Sequence, residues 1–145
     1  MSGTKSRTKG AVGEREFAAA LHEHLGIKLV RRLRQYQSGG CDLEVSDDDT
    51  GPVAASLGRY GIEVKRHAKA TPGLLASWWA QAEGQGQASG KVPVLAYRED
   101  WGQWRVVVPL RAIHPDFPAG PGLDLTADLS VPGFAAVVRE RCYDS

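Results

Sequence analysis

Gly61-Ile62-Glu63-Val64-Lys65 decides how this chain is read, together with Ser38-Gly39-Gly40-Cys41-Asp42-Leu43-Glu44-Val45 upstream of it. Apolar Ile62 and Val64 alternate with charged Glu63 and Lys65. Side chains two apart on a strand share a face, so the pattern predicts a strand with Ile62 and Val64 toward a core. Glu63 and Lys65 then stand side by side on a rigid element. In the upstream stretch the same alternation places Asp42 and Glu44 on one face and Leu43 and Val45 on the other.

Working outward, the flanking segments alternate between helix and strand patterns. Phe17, Leu21 and Leu25 recur at helical spacing, with Val12 and Ala20 near the same face, which predicts a helix from about Lys9 or Gly10 to Leu25. Gly26 marks its end, and Met1 to Thr8 reads as a flexible basic arm. Ile27 to Leu33 reads as a strand, leading into the polar, glycine-containing loop before Asp42. Asp47 to Pro52 is an acidic turn without the spacing of a calcium loop. Val53 to Leu57 is ambiguous. A strand is expected over about Arg59 to Lys65, and a helix opened by Pro72 to about Gln87. Leu75, Trp78, Trp79 and Ala82 form an apolar helix face, and the two tryptophans read as core rather than as base-stacking groups. Val92 to Tyr97 and Gln103 to Leu110 read as a strand and its hairpin partner. Ile113 to Leu123 is expected to be a surface loop, and Val131 to Arg141 a last helix burying Phe134, Val137 and Val138.

The bulk properties set limits on this picture. The chain has 145 residues, 42% hydrophobic and 24% charged, with a net charge of +1. That suits one globular domain, residues 1–145, rather than a disordered chain. The charge is uneven: up to Cys41 there are eight Lys and Arg against three Glu, a balance of +5 that leaves −4 for the remainder. A basic stretch is either a solvated face or a phosphate-binding surface. Two cysteines, Cys41 and Cys142, make neither a disulfide framework nor a zinc set, which points to a reducing, cytoplasmic setting. No apolar run is long enough for a membrane span. The four histidines show no metal-ligand spacing.

An aspartate on one strand and Glu-x-Lys on the next suit phosphodiester hydrolysis. That chemistry needs a divalent metal, oxygen ligands to hold it and a cation near the reacting phosphate. Mg²⁺ keeps several waters, so two or three carboxylates suffice, and Mn²⁺ shares its preference for hard oxygen ligands. Asp42 and Glu63 are the candidate ligands, with the Val64 backbone carbonyl a possible third. Lys65 would orient the attacking water and offset developing charge. Glu14, from the first helix, would complete the carboxylates or hold a water on the metal; read alone, it is an ordinary residue for a helix N-terminal half. Gln81, Gln85 and Arg66 could reach the site from its edge.

Lys9-Gly10-x-x-x-Glu14-Arg15-Glu16-Phe17, the Ser38 to Leu43 loop and strand, Ile62-Glu63-Val64-Lys65, Val92 to Ala96, and Trp104-Arg105 with its valine run resemble the archaeal-type Holliday junction resolvases of the PD-(D/E)XK nuclease superfamily. The resemblance covers Lys9 to Leu110. It implies an α/β fold with a restriction-endonuclease-like core, a mixed β-sheet flanked by helices. It implies a Mg²⁺-dependent endonuclease, with catalytic roles for Glu14, Asp42, Glu63 and Lys65. Arg15 matches a phosphate-contacting basic residue, and Ser38 a small hydroxyl residue in the loop. Cys41 stands where the superfamily often has proline, the stretch between Asp42 and Glu63 is long, and residues 111–145 form an extension without a counterpart.

The reading that follows is a homodimeric DNA endonuclease selective for branched DNA. Lys9, Lys28, Arg31, Arg32 and Arg34 would line the DNA surface with Arg15, Ser38 and Arg66, recognising backbone shape rather than bases. Its rivals are a nuclease of the same chemistry acting on duplex or single strands, a non-catalytic module that keeps the fold, and a plain α/β domain whose Glu63–Lys65 pair is a surface ion pair of little energetic value.

Overall fold

The computed structural model describes residues 2–31 and 41–141, with side chains from Gly10 onward. Alternating apolar residues build six strands: β1 (Leu29–Arg31), β2 (Leu43–Val45), β3 (Tyr60–His67), β4 (Val92–Glu99), β5 (Arg105–Pro109) and β6 (Thr126–Ser130). They form one sheet in chain order. Every neighbouring pair is antiparallel except β3 and β4, which run parallel. A parallel pair needs a long crossover, and α3 (Pro72–Ser89) supplies it. The other helices are α1 (Ser2–Leu25), α2 (Pro52–Leu57), α4 (Leu110–Ile113) and α5 (Val131–Glu140). This is the mixed α/β architecture that the resemblance implies, a sheet flanked by helices.

Strand alternation sorts the two faces. Ile62, Val64, Val94, Ala96, Val106 and Val108 pack with Phe17 and Leu21 of α1, Leu57 of α2, and Phe134 and Val138 of α5. Leu95 and Val107 face the other way, onto Trp78, Trp79 and Ala82 of α3. Both tryptophans are therefore core residues. Fully burying a Phe or Leu side chain stabilises by roughly 1.5–3 kcal/mol, so the first face, with Phe17, Leu21 and Phe134 at 0% exposure, anchors both terminal helices.

Capping follows the sequence closely. Gly26, at φ 70°, closes α1 by donating its N–H to the His22 carbonyl at 2.8 Å, a left-handed position that glycine takes without steric cost. Thr71 caps α3 by accepting the Leu74 N–H at 3.2 Å, and Ser130 caps α5 by accepting the Gly133 N–H at 3.1 Å.

Several elements depart from the sequence expectation. Helix α1 begins at Ser2, not near Lys9: once a helix is nucleated, adding residues costs little, and no proline stops it. The ambiguous stretch is helical, because Pro52 suits a first turn and Ala54 and Leu57 are buried. Helix α3 passes Gly84 and Gly86 and ends at Gly90, whose φ is 69°. Val137 is only half-buried, while Val131 and Ala135 join Phe134 and Val138 inside. Strand β6 has no counterpart in the sequence expectation. It belongs to the extension after residue 110, where Asp128 accepts bonds from Arg105 Nε at 2.7 Å and Tyr97 Oη at 2.6 Å. No helix among the described residues is long and apolar enough to cross a membrane. The acidic turn is partly structural, since Asp49 Oδ2 accepts the Lys28 backbone N–H at 2.7 Å.

Gly61 is where the fold meets the Asp42 segment. A Cβ there would lie 2.8 Å from Cys41 Sγ and 3.3 Å from Lys91 Cβ. Gly61→Ala is expected to destabilise by roughly 1–3 kcal/mol, the usual cost of overpacking. Thermal unfolding would read this as a loss of several degrees; an unchanged midpoint would mean that Cys41 moves aside freely.

Candidate active site

The site forms where β3 outruns its neighbour. Strand β2 pairs with β3 at Leu43 and Ile62, and the Asp42 N–H donates to the Ile62 carbonyl at 3.1 Å. Beyond that point an aspartate side chain takes the place of a strand: Val64 N–H donates to Asp42 Oδ2 at 2.9 Å. Glu63 and Lys65, on the opposite face from Ile62 and Val64, lie in register with Leu95 and Tyr97 of β4.

Glu63 is the unusual group. Its side chain is 4% exposed, and Lys65 Nζ lies 4.0 Å from its Oε1. Its other oxygen, Oε2, is buried without a hydrogen-bond partner among the described residues. Burial, then the charge and proximity of the Asp42 carboxyl, raise its pKa to about 8, against the opposing pull of Lys65. Two carboxylates so close repel, and that repulsion favours the neutral form of the buried one, Glu63. An orphaned carboxylate oxygen beside a second carboxylate is a poor stabiliser of a fold and a good half-site for a cation.

Glu14 comes to this region from α1. Beside it, Gly13 faces the Arg66 and Val64 side chains, and a Cβ there would make ordinary contacts, 3.4 Å from Arg66 Cβ and 3.9 Å from Val64 Cγ1. Burial raises the Glu14 pKa and Asp42 adds to the rise, opposed by a hydrogen bond from Arg31. That bond, Arg31 Nε to Glu14 Oε1, is 2.6 Å. Arg31 is therefore held by a site carboxylate, a contact that the charge pattern alone does not reveal.

Arg15, Lys28 and Arg31 border one open groove of about 820 Å³ between α1 and β1, with Glu14 at its side. Arg66 is elsewhere, 3.3 Å from Glu16 and 3.6 Å from Asp100. Gln81 is exposed on α3. Arg32, Arg34 and Ser38 lie outside the described residues, as do Cys142 and the side chain of Lys9. Among the described residues no three His, Cys, Asp or Glu side chains make a ready metal cage; the carboxylates form a pair, Asp42 and Glu63, with Glu14 drawn to Arg31.

A mixed sheet flanked by helices, with an aspartate at the start of one strand and Glu-x-Lys on the next, defines the PD-(D/E)XK nuclease superfamily. Within it, a family model described as "Phage putative PDDEXK endonuclease" matches residues 5–116, and the chain belongs to that family. Among solved structures, the chain is similar to Hjc, a Holliday junction resolvase of the archaeal hyperthermophile Archaeoglobus fulgidus. The identity is 15% and the TM-score 0.49, over 87% of this chain and 99% of that one. No curated protein sequence matches the chain.

Proposed function

We propose that this protein is a Mg²⁺-dependent DNA endonuclease, with Glu14, Asp42, Glu63 and Lys65 as its catalytic residues. The observation that carries the reading is Glu63: a buried carboxyl with one unpartnered oxygen, beside the Asp42 carboxyl and 4.0 Å from a lysine ammonium. The donor set fits Mg²⁺, which binds through one or two carboxylates and otherwise keeps its waters; Mn²⁺ would substitute. Asp42 and Glu63 would hold the ion. A residue in a strand points its N–H and C=O toward the same neighbour. The Val64 N–H goes to Asp42, so its carbonyl opens on the same side and offers a third oxygen. The bound ion would polarise the scissile phosphate and acidify a water.

The chain's own residues supply the rest. Lys65, part-exposed and fixed by its strand, would donate to a non-bridging phosphate oxygen and orient the attacking water. Glu14 would accept a proton from an ordered water, with Arg31 releasing it when phosphate arrives. Arg15, Lys28 and Arg31 along the groove would take the DNA backbone, which gives affinity and salt dependence without base readout. Arg66, through its contacts with Glu16 and Asp100, would position rather than bind. Branched DNA is the substrate we favour, cut by a homodimer whose two-fold axis presents two sites to two strands. The second reading is a phage-type nuclease acting on duplex or single-stranded DNA, and the description of the matched family favours it.

The deciding experiment is cleavage of labelled four-way junction, flap, duplex and single-stranded DNA with Mg²⁺ or EDTA. Symmetric, metal-dependent nicking of the junction alone supports the first reading, cutting of duplex or single strands the second, and no cutting of any substrate removes both. Lys65→Ala is expected to slow cleavage by roughly 10²–10³, the cost of losing one charge-stabilising donor. DNA affinity should stay within about threefold, because the groove contacts remain. A mutant as fast as the wild type would take Lys65 out of the chemistry.

A further inference from the structure

Trp101 is 100% exposed, whereas Trp78 and Trp79 are 9% and 2% exposed. It sits third in the four-residue turn joining β4 to β5, closed by Gly102 N–H donating to the Glu99 carbonyl at 3.0 Å. Its φ is 71°, and it is the one non-glycine among the described residues with positive φ. With Asp100 on the negative side, this is the third position of a type II turn, which favours glycine or asparagine. A bulky L-residue there pays a steric cost. The fold gains nothing from it, since the indole buries no surface. A local rule broken without a structural return points to function.

The turn is braced as a platform. Arg98 Nε donates to the Gly102 carbonyl at 2.9 Å, and its other nitrogen reaches Glu16 at 3.2 Å. Arg66 ties Glu16 to Asp100, and the Asp100 N–H donates to the His67 carbonyl at 3.0 Å. The tip also lies at the catalytic end of the sheet. Lys65 pairs with Tyr97 and His67 with Glu99, so the turn begins two residues past the Lys65 row, roughly 7 Å along the strands. Arg66, Arg98, Asp100 and Trp101 frame a shallow hollow of about 400 Å³.

We propose that Trp101 stacks on an unpaired nucleobase of the DNA held at the Glu63–Lys65 site. The charges select this occupant: two arginines are balanced by Glu16 and Asp100, so the hollow offers no surplus for a phosphate, while the indole face suits any base. The proposal rests on the nuclease reading and deepens it. The substrate at this site carries single-stranded character, as a gap, flap or opened junction does.

The test is binding in EDTA, where no cleavage is expected, to a blunt duplex, the same duplex with a short gap, and a single strand. Trp101→Gly is expected to weaken gapped and single-stranded binding roughly tenfold and to leave the blunt duplex within about twofold, while Trp101→Phe recovers most of the loss. Thermal unfolding of Trp101→Gly should be no lower than wild type, because glycine suits the backbone; a structural role would lower it. Equal loss on all three DNAs, or no loss, overturns the proposal. So does a changed oligomeric state with unchanged affinities, which would assign the indole to a protein contact. If the wild type binds none of the DNAs, the nuclease reading falls with it. If the wild type binds and cuts while Trp101→Gly is indistinguishable from it, this contact alone falls.

Discussion

Glu63→Gln is expected to abolish cleavage and, in EDTA at pH 8 and above, to make the protein more stable. The two effects share one cause. The folded state raises the Glu63 pKa from 4.5 to about 8. Between those values the native chain binds a proton that the unfolded chain has released, so stability falls as pH rises through that window. The loss accumulates at about 1.4 kcal/mol per pH unit, so the penalty is of the order of a few kcal/mol and is complete above about pH 8. Glutamine keeps the shape and removes the titration. Its thermal midpoint should exceed that of the wild type by several degrees at pH 8, at roughly 2–4 °C per kcal/mol. The two proteins should converge well below pH 4.5, where the wild-type carboxyl is protonated in both the folded and the unfolded state. Cleavage should drop by roughly a thousandfold or more, since several kcal/mol of transition-state stabilisation go with the ion. Mg²⁺ should raise the wild-type midpoint at pH 8 far more than the mutant's, by about 2.7 kcal/mol at a hundred times its dissociation constant. A mutant that is destabilised throughout would make Glu63 a structural residue, and one that still cleaves would remove it from the site.

Which faces Asp42 and Glu63 take on their strands is readable in the sequence because it depends only on short-range rules. Period-two alternation fixes which side chains share a face, and a short antiparallel pairing through Leu43 and Ile62 brings the two carboxylates together. The end of α1 at Gly26 and the start of α3 at Pro72 are readable for the same reason: they depend on backbone chemistry within a turn. What escapes the sequence is set by distant partners. Arg31 reads as a DNA contact from local charge, yet its Nε is taken by Glu14, seventeen residues away on another element. Strand β6 has Asp128 at its centre, a poor strand former, and it is secured by that same aspartate reaching Arg105 and Tyr97. Trp101 reads as part of a tight turn. Only the backbone angle shows that the turn holds a residue it does not favour. The depth at which Glu63 is buried is likewise a product of how the elements pack, and it is the property on which the proposed chemistry rests.

Asp42 separates structural from chemical roles at this site, because two substitutions there have different expected effects on stability. Its Oδ2 accepts the Val64 N–H at 2.9 Å, standing in for a strand that has ended, and its charge is the second-largest cause of the raised Glu63 pKa, after burial. Asp42→Asn keeps an acceptor and removes the charge. Glu63 then ionises more easily, so the window in which stability falls with pH ends below pH 8. The mutant should be more stable than wild type in EDTA at pH 8, though less so than Glu63→Gln, because burial still opposes ionisation. Asp42→Ala also relieves the repulsion, but it strands the Val64 N–H, at a cost of about 1–3 kcal/mol. It should therefore be less stable than Asp42→Asn at every pH. Both should lose cleavage by roughly 10²–10³ or more, with DNA binding through the groove retained within about threefold. Thermal midpoints against pH in EDTA, set beside cleavage rates in Mg²⁺, read all of this in one series. If the stability profile of Asp42→Asn overlies the wild type, the two carboxylates do not interact, and the cation half-site they form loses its basis. If the profile moves and cleavage survives, the interaction is real but the chemistry lies elsewhere.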